Sequence, residues 1–182
     1  MESKLPDLKA LSWKYHIELK RIKVFLTDVD GILTDGRVYY AGEEVGFNRS
    51  FHIRDGYGFK ILQSAGIKVG FISGGKTLGL EKRAETLKID YVFLGNEDKR
   101  EAYLKVLADG YKDEEICYLG DEFFDIPLLK RAGFSATVHS ASPEVKEACT
   151  YICHTEPGMG VAREVIELIR YAQGIIPPVK DF

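Results

Sequence analysis

Hydrophobic residues along the chain form two patterns, short apolar runs and segments with apolar residues at helical spacing. From residue 67 onward the two patterns alternate strictly. The runs predict strands, and the amphipathic segments predict helices. The strands are IKVGFIS, YVFLG, ICYLGD, FSATV and YIC, and the helices are TLGLEKRAETL, DKREAYLKVLADG, DIPLLKRAG, SPEVKEAC and residues 161–172. This alternation predicts an α/β fold, with a parallel sheet flanked by helices on both faces.

The first third of the chain adds another strand, a hairpin and two helices. Residues 7–20 suit a short amphipathic helix, and the apolar residues at 22–27 suit one buried strand. Aromatic and β-branched residues lie on both sides of AGEE, which predicts a β-hairpin flap over about residues 37–52 with its tip at 41–44. Asp55 is predicted to cap a helix that runs to about residue 63 and ends at Gly66.

Composition indicates a single domain over residues 1–182. The hydrophobic fraction of 45% is enough for a sizeable core. A net charge of −3 argues against nucleic acid or an acidic membrane as the main partner. The sequence has neither the apolar length of a membrane span nor a signal peptide, so we expect a cytoplasmic protein. The three cysteines lack the paired spacing of a zinc site and are expected to be reduced, and only the tail at about 173–182 looks irregular.

Charged and hydroxyl side chains follow four of the predicted strands at the point where each strand ends. They are Asp28 and Asp30 after the first strand, Ser73 in FISGG, Lys99 after YVFLG, and Asp121 with Asp125 after ICYLG. Asp28 and Asp30 are two residues apart, so on an extended backbone both side chains leave the same face. Parallel sheets bind ligands beyond the carboxyl ends of their strands, which makes this edge the predicted site.

Four segments, in this order, resemble the motifs of the haloacid dehalogenase superfamily of phosphotransferases. DVDGILTDG is similar to the first motif, FISGG to the second, Lys99 to the third and GDEFFD to the fourth. The resemblance implies a Rossmann-like α/β fold and Mg²⁺-dependent phosphoryl transfer through an aspartyl-phosphate. The segments between the motifs hold only a hairpin with one helix, and then one helix with one strand, so the chain has no cap domain.

The resemblance implies that four aspartates form the metal site. Asp28 would be both the nucleophile and a ligand of Mg²⁺, a cation that prefers oxygen ligands. Asp30 would act as general acid and base, and its backbone carbonyl would complete the metal shell. Asp121 would be the second carboxylate ligand, and Asp125 would hold a metal-bound water.

Three further residues are implied to bind the phosphoryl group. Ser73 and the amide of Gly74 would bind its oxygens, and Lys99 would offset the negative charge of the carboxylates and phosphate. Taken alone, Lys99 could equally be an exposed lysine at a helix start, and Asp125 a helix cap. The order of the four motifs is what favours the functional interpretation.

From its first strand to its end, the chain resembles more particularly the 3-deoxy-D-manno-octulosonate 8-phosphate phosphatase family. LTDGRVYY, GEE, FHIRDGYGFK, GNEDK and GMGVAREV carry the likeness. It implies a phosphatase that acts on a phosphorylated sugar acid in lipopolysaccharide biosynthesis. The residues implied to bind the substrate are Asp30, His52, Ile53, Arg54, Asp55, Gly56, Lys60 and Arg83.

Gly75 departs from the family pattern, because the second motif usually continues with an arginine at this position. A guanidinium is well suited to a sugar-acid carboxylate, and the ammonium of Lys76 would replace it only in part. Two alternatives therefore stay open, a phosphatase of another nonulosonate or octulosonate phosphate, and a non-catalytic regulatory domain on the same fold. The second is disfavoured because the chain keeps both Asp28 and Asp30.

The hairpin also predicts an oligomer, because it carries more apolar surface than a free two-stranded ribbon should expose. Its apolar residues are Val38, Tyr39, Tyr40, Val45 and Phe47. Packing the hairpins of several subunits together would bury this surface. The resemblance implies a homotetramer whose active sites lie beside subunit interfaces, and we expect the terminal residues 174–182 to form a mobile lid.

Overall fold

A computed structural model of the protein describes residues 6–177 and 179. Its strands are β1 (Val24–Thr27), β2 (Tyr39–Tyr40), β3 (Phe47–Asn48), β4 (Lys68–Ser73), β5 (Tyr91–Leu94), β6 (Ile116–Leu119), β7 (Phe134–Val138) and β8 (Tyr151–Cys153). Its helices are α1 (Leu8–Lys14), α2 (His16–Leu19), α3 (Ile53–Ser64), α4 (Leu78–Leu87), α5 (Arg100–Ala108), α6 (Ile126–Leu129), α7 (Pro143–Glu147) and α8 (Val161–Gln173). Short 3₁₀ turns lie at Asp113–Glu115 and Phe123–Asp125.

Six strands form one parallel sheet in the order β5-β4-β1-β6-β7-β8. The first strand of this sheet is β1, and β4 and β5 follow on one side of it. The chain then crosses to the other side of β1, where β6 pairs with it. This reversal makes the carboxyl ends of β1 and β6 the switch point at which open sheets bind ligands. The backbone N–H of Asp28 donates to the carbonyl of Leu119 at 2.8 Å, so the residues that follow these two strands are held side by side.

The core explains why β1 lies at the centre. All four of its residues are buried, as expected for a strand covered on both faces. On one face an aromatic cluster joins the sheet to α3, with the ring centroids of Phe25 and Phe59 6.0 Å apart and those of Phe59 and Phe71 5.5 Å apart. Val29, between Asp28 and Asp30, is fully buried, as the alternation predicted. The predicted α/β fold is confirmed.

The hairpin is confirmed, with β2 and β3 paired antiparallel so that Tyr40 faces Phe47. Its apolar side chains Val38, Tyr39, Tyr40, Val45 and Phe47 are all exposed. The single helix predicted over residues 7–20 is instead two helices, because the backbone leaves helical geometry at Tyr15.

The predicted cap of α3 is wrong. His52, and not Asp55, is the N-cap residue, and its Nδ1 accepts from the backbone N–H of Arg54 at 3.3 Å. Asp55 lies in the first turn, buried, and its Oδ1 accepts from the backbone N–H of Arg163 at 2.8 Å. Burial raises the pKa of Asp55 to about 6, although the N–H of Arg163 pulls it down. The carboxyl group therefore joins α3 to α8.

Two findings bear on the chemistry of the chain as a whole. Cys117, Cys149 and Cys153 are free thiols, in agreement with the expectation that they are reduced. No helix in the described part of the chain combines the length and apolar character needed to cross a membrane. The single domain over 1–182 and the lid at the C-terminus stay predictions, since residues 1–5, 178 and 180–182 lie outside the described residues.

Candidate active site

The predicted site residues meet at the carboxyl edge of the sheet. Asp28 directly follows β1, and Ser73 is the last residue of β4. Lys99 immediately precedes α5, and Asp121 comes two residues after β6. Asp125 ends the 3₁₀ turn at Phe123–Asp125. Parallel pairing of β1 with β4 and β6, and of β4 with β5, therefore places four separate segments around one point.

Lys99 forms the electrostatic centre of this edge. Its side chain is fully buried, with Nζ 2.7 Å from Oδ1 of Asp28 and 2.6 Å from Oδ1 of Asp125. The ring of Phe124 covers it, with 4.4 Å between Nζ and the ring centroid. A buried ammonium needs such partners, because an isolated charge in this environment would be very costly. Lys99 is thus a buried bridge between two carboxylates, which excludes the alternative of an exposed lysine at a helix start.

Asp125 is held from every side and is not merely a helix cap. Its Oδ1 accepts from Lys99 and from the hydroxyl of Tyr118. Its Oδ2 accepts from the backbone N–H groups of Asp121 and Glu122, each at 3.0 Å. These contacts fix the loop that carries Asp121. Tyr118 was not predicted from the sequence, because within the run ICYL it has the pattern of an ordinary core residue.

Three carboxylates converge on a space that fits a cation. Oxygens of Asp28, Asp121 and Asp125 lie within 4.8 Å of one another. Burial raises the pKa of Asp28 to about 6, and Lys99 only partly offsets this. Burial, with Asp28 and Asp125 nearby, raises the pKa of Asp121 to about 8. One lysine does not balance three carboxylates, and Oδ1 of Asp121 is buried without a partner among the described residues. This donor set suits a hard divalent cation such as Mg²⁺.

Gly31 allows Asp121 to come this close to the loop after β1. Its φ of +84° lies in the left-handed region that favours glycine. A side chain at this position would overlap the carboxylate of Asp121. The glycine of the first motif therefore serves both the turn and the packing of the two acidic loops.

Asp30 lies apart from the three converging carboxylates. Its carboxylate is 36% exposed, and its Oδ1 lies 2.6 Å from Nε of Arg49. The expectation that its backbone carbonyl binds the metal stays a prediction. Arg49 was not predicted as a site residue, and the sequence signal was weak, an arginine spaced two residues from both Phe47 and Phe51 in the hairpin.

The second motif lies beside this ion pair. Ser73 is buried, and its Oγ accepts from the backbone N–H of Gly75 at 3.1 Å, which shapes the loop that carries Gly74. Lys76 has a mostly exposed side chain whose Nζ lies 3.7 Å from Glu81, and its partial replacement of the missing arginine stays a prediction. The roles of Ser73 and Gly74 in phosphate binding stay predictions.

Apart from Asp30, the predicted substrate residues lie on α3, at its N-cap and on α4. Arg83 of α4 packs closely on Gly56, since a Cβ added to Gly56 would lie 2.5 Å from Nη2 of Arg83. The guanidinium of Arg83 lies 5.8 Å from the ring centroid of Phe51. Ile53, Arg54 and Lys60 are exposed, Asp55 and Gly56 are buried, and His52 is half-buried. The structure thus brings His52, Asp55, Gly56 and Arg83 together around one small cavity beside Leu33. Their binding of a substrate stays a prediction.

The fold and the acidic cluster define a haloacid dehalogenase-like hydrolase, and residues 92–165 match the family model of that description. The 3-deoxy-D-manno-octulosonate 8-phosphate phosphatase KdsC of Haemophilus influenzae is 38% identical over 160 residues, which are 86% of this chain and 87% of that protein. The chain therefore belongs to the 3-deoxy-D-manno-octulosonate 8-phosphate phosphatase family. The resemblance found in the sequence is confirmed.

Solved structures agree with this assignment. A 3-deoxy-D-manno-octulosonate 8-phosphate phosphatase from Moraxella catarrhalis, in complex with magnesium ion, phosphate ion and KDO, has a TM-score of 0.84 and 32% identity. The match covers 88% of this chain and 92% of that one. A probable phosphatase from Pseudomonas syringae has a TM-score of 0.85 and 39% identity, covering 90% and 93% of the two chains.

Proposed function

We propose that the protein hydrolyses 3-deoxy-D-manno-octulosonate (KDO) 8-phosphate to KDO and phosphate with the help of Mg²⁺, in the cytoplasm and as a step of lipopolysaccharide biosynthesis. The observation that carries the proposal is the buried Lys99, which bridges Asp28 and Asp125 at the edge where Asp121 also converges. Family membership supports the substrate, since relatives that cover most of the chain carry this activity in their names.

Asp28, Asp121 and the backbone of Asp30 would hold the metal, with Asp125 beside them. When bound, Mg²⁺ supplies positive charge that offsets the charge on the phosphoryl oxygens. Among the described residues, Oδ1 of Asp121 has no hydrogen-bond partner and the carboxylates of this cluster outnumber its ammonium groups, and both facts favour such a cation. The protein's own contribution is a buried frame that keeps these oxygens in place before the substrate arrives.

The first step is attack by a carboxylate oxygen of Asp28 on phosphorus. The phosphorus–oxygen bond to the sugar breaks as the bond to Asp28 forms, and Asp30 gives its proton to the departing alkoxide. Nζ of Lys99 lies 2.7 Å from Oδ1 of Asp28. This contact orients the nucleophile and partly offsets the negative charge of its carboxylate. Ser73 and the amide of Gly74 would bind the oxygens of the transferred group.

The second step removes phosphate from Asp28. Asp30, now a carboxylate, takes a proton from water, whose oxygen attacks phosphorus and displaces the Asp28 carboxylate. The partial exposure of Asp30 allows it to reach both the leaving group and water, whereas Asp28 is almost fully buried. The two aspartates of the first motif therefore differ in environment as their proposed roles require.

Phosphate release tests this proposal directly. The purified protein is assayed with KDO 8-phosphate, a nonulosonate 9-phosphate and a neutral hexose 6-phosphate, each with Mg²⁺ and with EDTA. We expect a preference for KDO 8-phosphate, loss of turnover in EDTA, and abolished turnover in Asp28→Asn, since an amide is a poor nucleophile. A preference for the nonulosonate phosphate would identify the sister activity instead, and no turnover on any phosphate would favour a regulatory domain.

We also propose that the protein is a homotetramer assembled through its hairpins. Five apolar side chains of the hairpin are exposed, including Tyr40 and Phe47, whose rings pack edge to face at 5.5 Å. Two strands of two residues each cannot bury these side chains by themselves. A second copy of the same hairpin is a surface of matching apolar character, as closed symmetric assembly requires.

Light scattering coupled to gel filtration measures the assembly. We expect Phe47→Asp to reduce the mass from tetramer to smaller species, because it places a charge in the proposed interface. Leu104→Asp on α5 is the matched control, since Leu104 is also exposed but lies away from the hairpin. A monomeric wild-type protein, or a tetramer unaffected by Phe47→Asp, would refute the proposed interface.

A further inference from the structure

Arg49 is a buried charge within an exposed element. The hairpin tip and its aromatic side chains face solvent, yet Arg49 is only 8% exposed. Its Nη1 donates to the hydroxyl of Thr77 at 3.0 Å, and Thr77 is the N-cap residue of α4. A buried guanidinium is costly unless it is paired, so these contacts determine where the base of the hairpin lies.

The partner of this guanidinium is Asp30. Nε of Arg49 lies 2.6 Å from Oδ1 of Asp30, but neither atom has a hydrogen bond of good geometry among the described residues. The contact is therefore an ion pair rather than an aligned hydrogen bond. The guanidinium contacts Oδ1, and the proposed first step draws its proton from Oδ2, the other oxygen of Asp30.

Two glycines make room for the base of the hairpin. An ideal Cβ at Gly75 would lie 2.9 Å from Oδ2 of Asp30 and 3.1 Å from Nη2 of Arg49. A Cβ at Gly79, near the start of α4, would overlap the side-chain amide of Asn48. The guanidinium of Arg49 thus occupies the space into which a side chain at position 75 would extend.

We propose that Arg49 is the positioning residue for Asp30, and that residue 75 is glycine because the Arg49 guanidinium fills the place of a side chain there. The inference rests on the proposed function, in which Asp30 protonates the leaving alkoxide. Arg49 acts through Asp30 by holding its side chain beside Gly75 of the second motif. The hairpin is thereby coupled to proton transfer.

The test compares two substrates that differ in their need for a proton. A sugar phosphate leaves as an alkoxide and requires the proton from Asp30, whereas p-nitrophenyl phosphate releases a stable phenolate without one. We expect Arg49→Ala to lower kcat/KM for KDO 8-phosphate by about 10²-fold, the lower range for a general acid, and to change kcat/KM for p-nitrophenyl phosphate far less. Arg49→Lys, which keeps the charge, is expected to recover part of the loss.

Variants at position 75 test the shared space. Gly75→Arg alone should show the same selective loss of kcat/KM for KDO 8-phosphate, because the new side chain displaces Arg49 and Asp30. The double variant Arg49→Ala, Gly75→Arg should be more active than Gly75→Arg. Arg37→Ala is the control, since Arg37 lies in the same flap but is exposed, 3.8 Å from Asp35. It is expected to leave both substrates unaffected.

The outcomes separate this inference from the proposed function. Equal losses on both substrates for Arg49→Ala would show that Arg49 only supports the hairpin, and would overturn the inference. Full activity of Gly75→Arg with Arg49 present would overturn the shared space. A wild-type protein without phosphatase activity would instead refute the proposed function, and that result is visible before any variant is made.

Discussion

Lys99→Met is the substitution that most directly tests the electrostatic design of the site. Methionine keeps an unbranched side chain of similar length but removes the charge. In the wild-type protein the Lys99 ammonium contacts Asp28 at 2.7 Å and Asp125 at 2.6 Å, and all three side chains are buried. The variant therefore leaves a group of buried carboxylates with no cation from the protein at their centre.

The magnitude follows from burial. Removing one partner of a buried ion pair typically costs about 3–5 kcal/mol, because the remaining charge is left without compensation. We expect a loss in this range in EDTA at pH 8. The loss should shrink at pH 5, because Lys99 lowers the pKa of Asp28, and the pKa rises above 6 without it, so protonation relieves the repulsion. Mg²⁺ should also restore part of the stability by supplying the missing positive charge.

Urea unfolding followed by circular dichroism, with EDTA and with Mg²⁺, measures these differences. Steady-state phosphate release should show kcat lowered by about 10²- to 10³-fold even with Mg²⁺, as for loss of a preorganised charge at a developing anion. Lys105→Met is the matched control, because Lys105 is an exposed lysine on α5, the helix that Lys99 precedes. A stability loss below about 1 kcal/mol in EDTA, no greater than that of the control, would contradict the assignment of a buried bridge.

Two further predictions concern Gly31 and Asp55. Gly31→Ala should lower kcat and raise the Mg²⁺ concentration needed for half-maximal activity, because its Cβ would overlap Asp121. Gly36→Ala is the control, with the same left-handed strain at φ +75°. Among the described residues no atom would lie closer than 3.9 Å to its Cβ, so it should keep the wild-type dependence on Mg²⁺. Burial raises the pKa of Asp55 from 3.8 to about 6, so its charge increasingly opposes folding as pH rises from about 4 to 6, and the penalty then stays constant. Urea unfolding should therefore show Asp55→Asn gaining up to about 3 kcal/mol over wild type at pH 8 and almost nothing at pH 4; an equal difference at both pH values would contradict the buried, ionised Asp55.

Most of the sheet could be predicted because its strands are short apolar runs separated by amphipathic helices. The pattern is local, and a parallel sheet covered on both faces leaves few alternatives for it. The same logic located Asp28, Ser73, Lys99 and Asp121, since residues that follow parallel strands must meet at one edge. Knowing that four strands end in polar groups was therefore enough to predict a site without any knowledge of contacts.

The site residue and the structural role that sequence reasoning missed, Arg49 and the contact made by Asp55, depend on contacts between distant segments. Aspartate is a residue type that commonly caps helices, yet the partner of Asp55 is the backbone N–H of Arg163 on the last helix. An arginine in a hairpin is usually a surface residue, and Arg49 is buried because the hairpin docks on the N-terminus of α4. Local propensity carries no information on such pairings, so a local rule is overridden where tertiary structure supplies a better partner.

The two aspartates of the first motif lie in different environments, as the two roles proposed for them require. Asp28 lies in a buried environment and pairs with Lys99, an ammonium that is itself inaccessible to solvent. Asp30, two residues on, is partly exposed and pairs with Arg49, which belongs to a separate element. A nucleophile must stay dry and fixed, whereas a group that exchanges protons with an alkoxide and with water must be reached by both. Because Val29 anchors the strand end in the core between them, the backbone itself holds the two aspartates in these different environments.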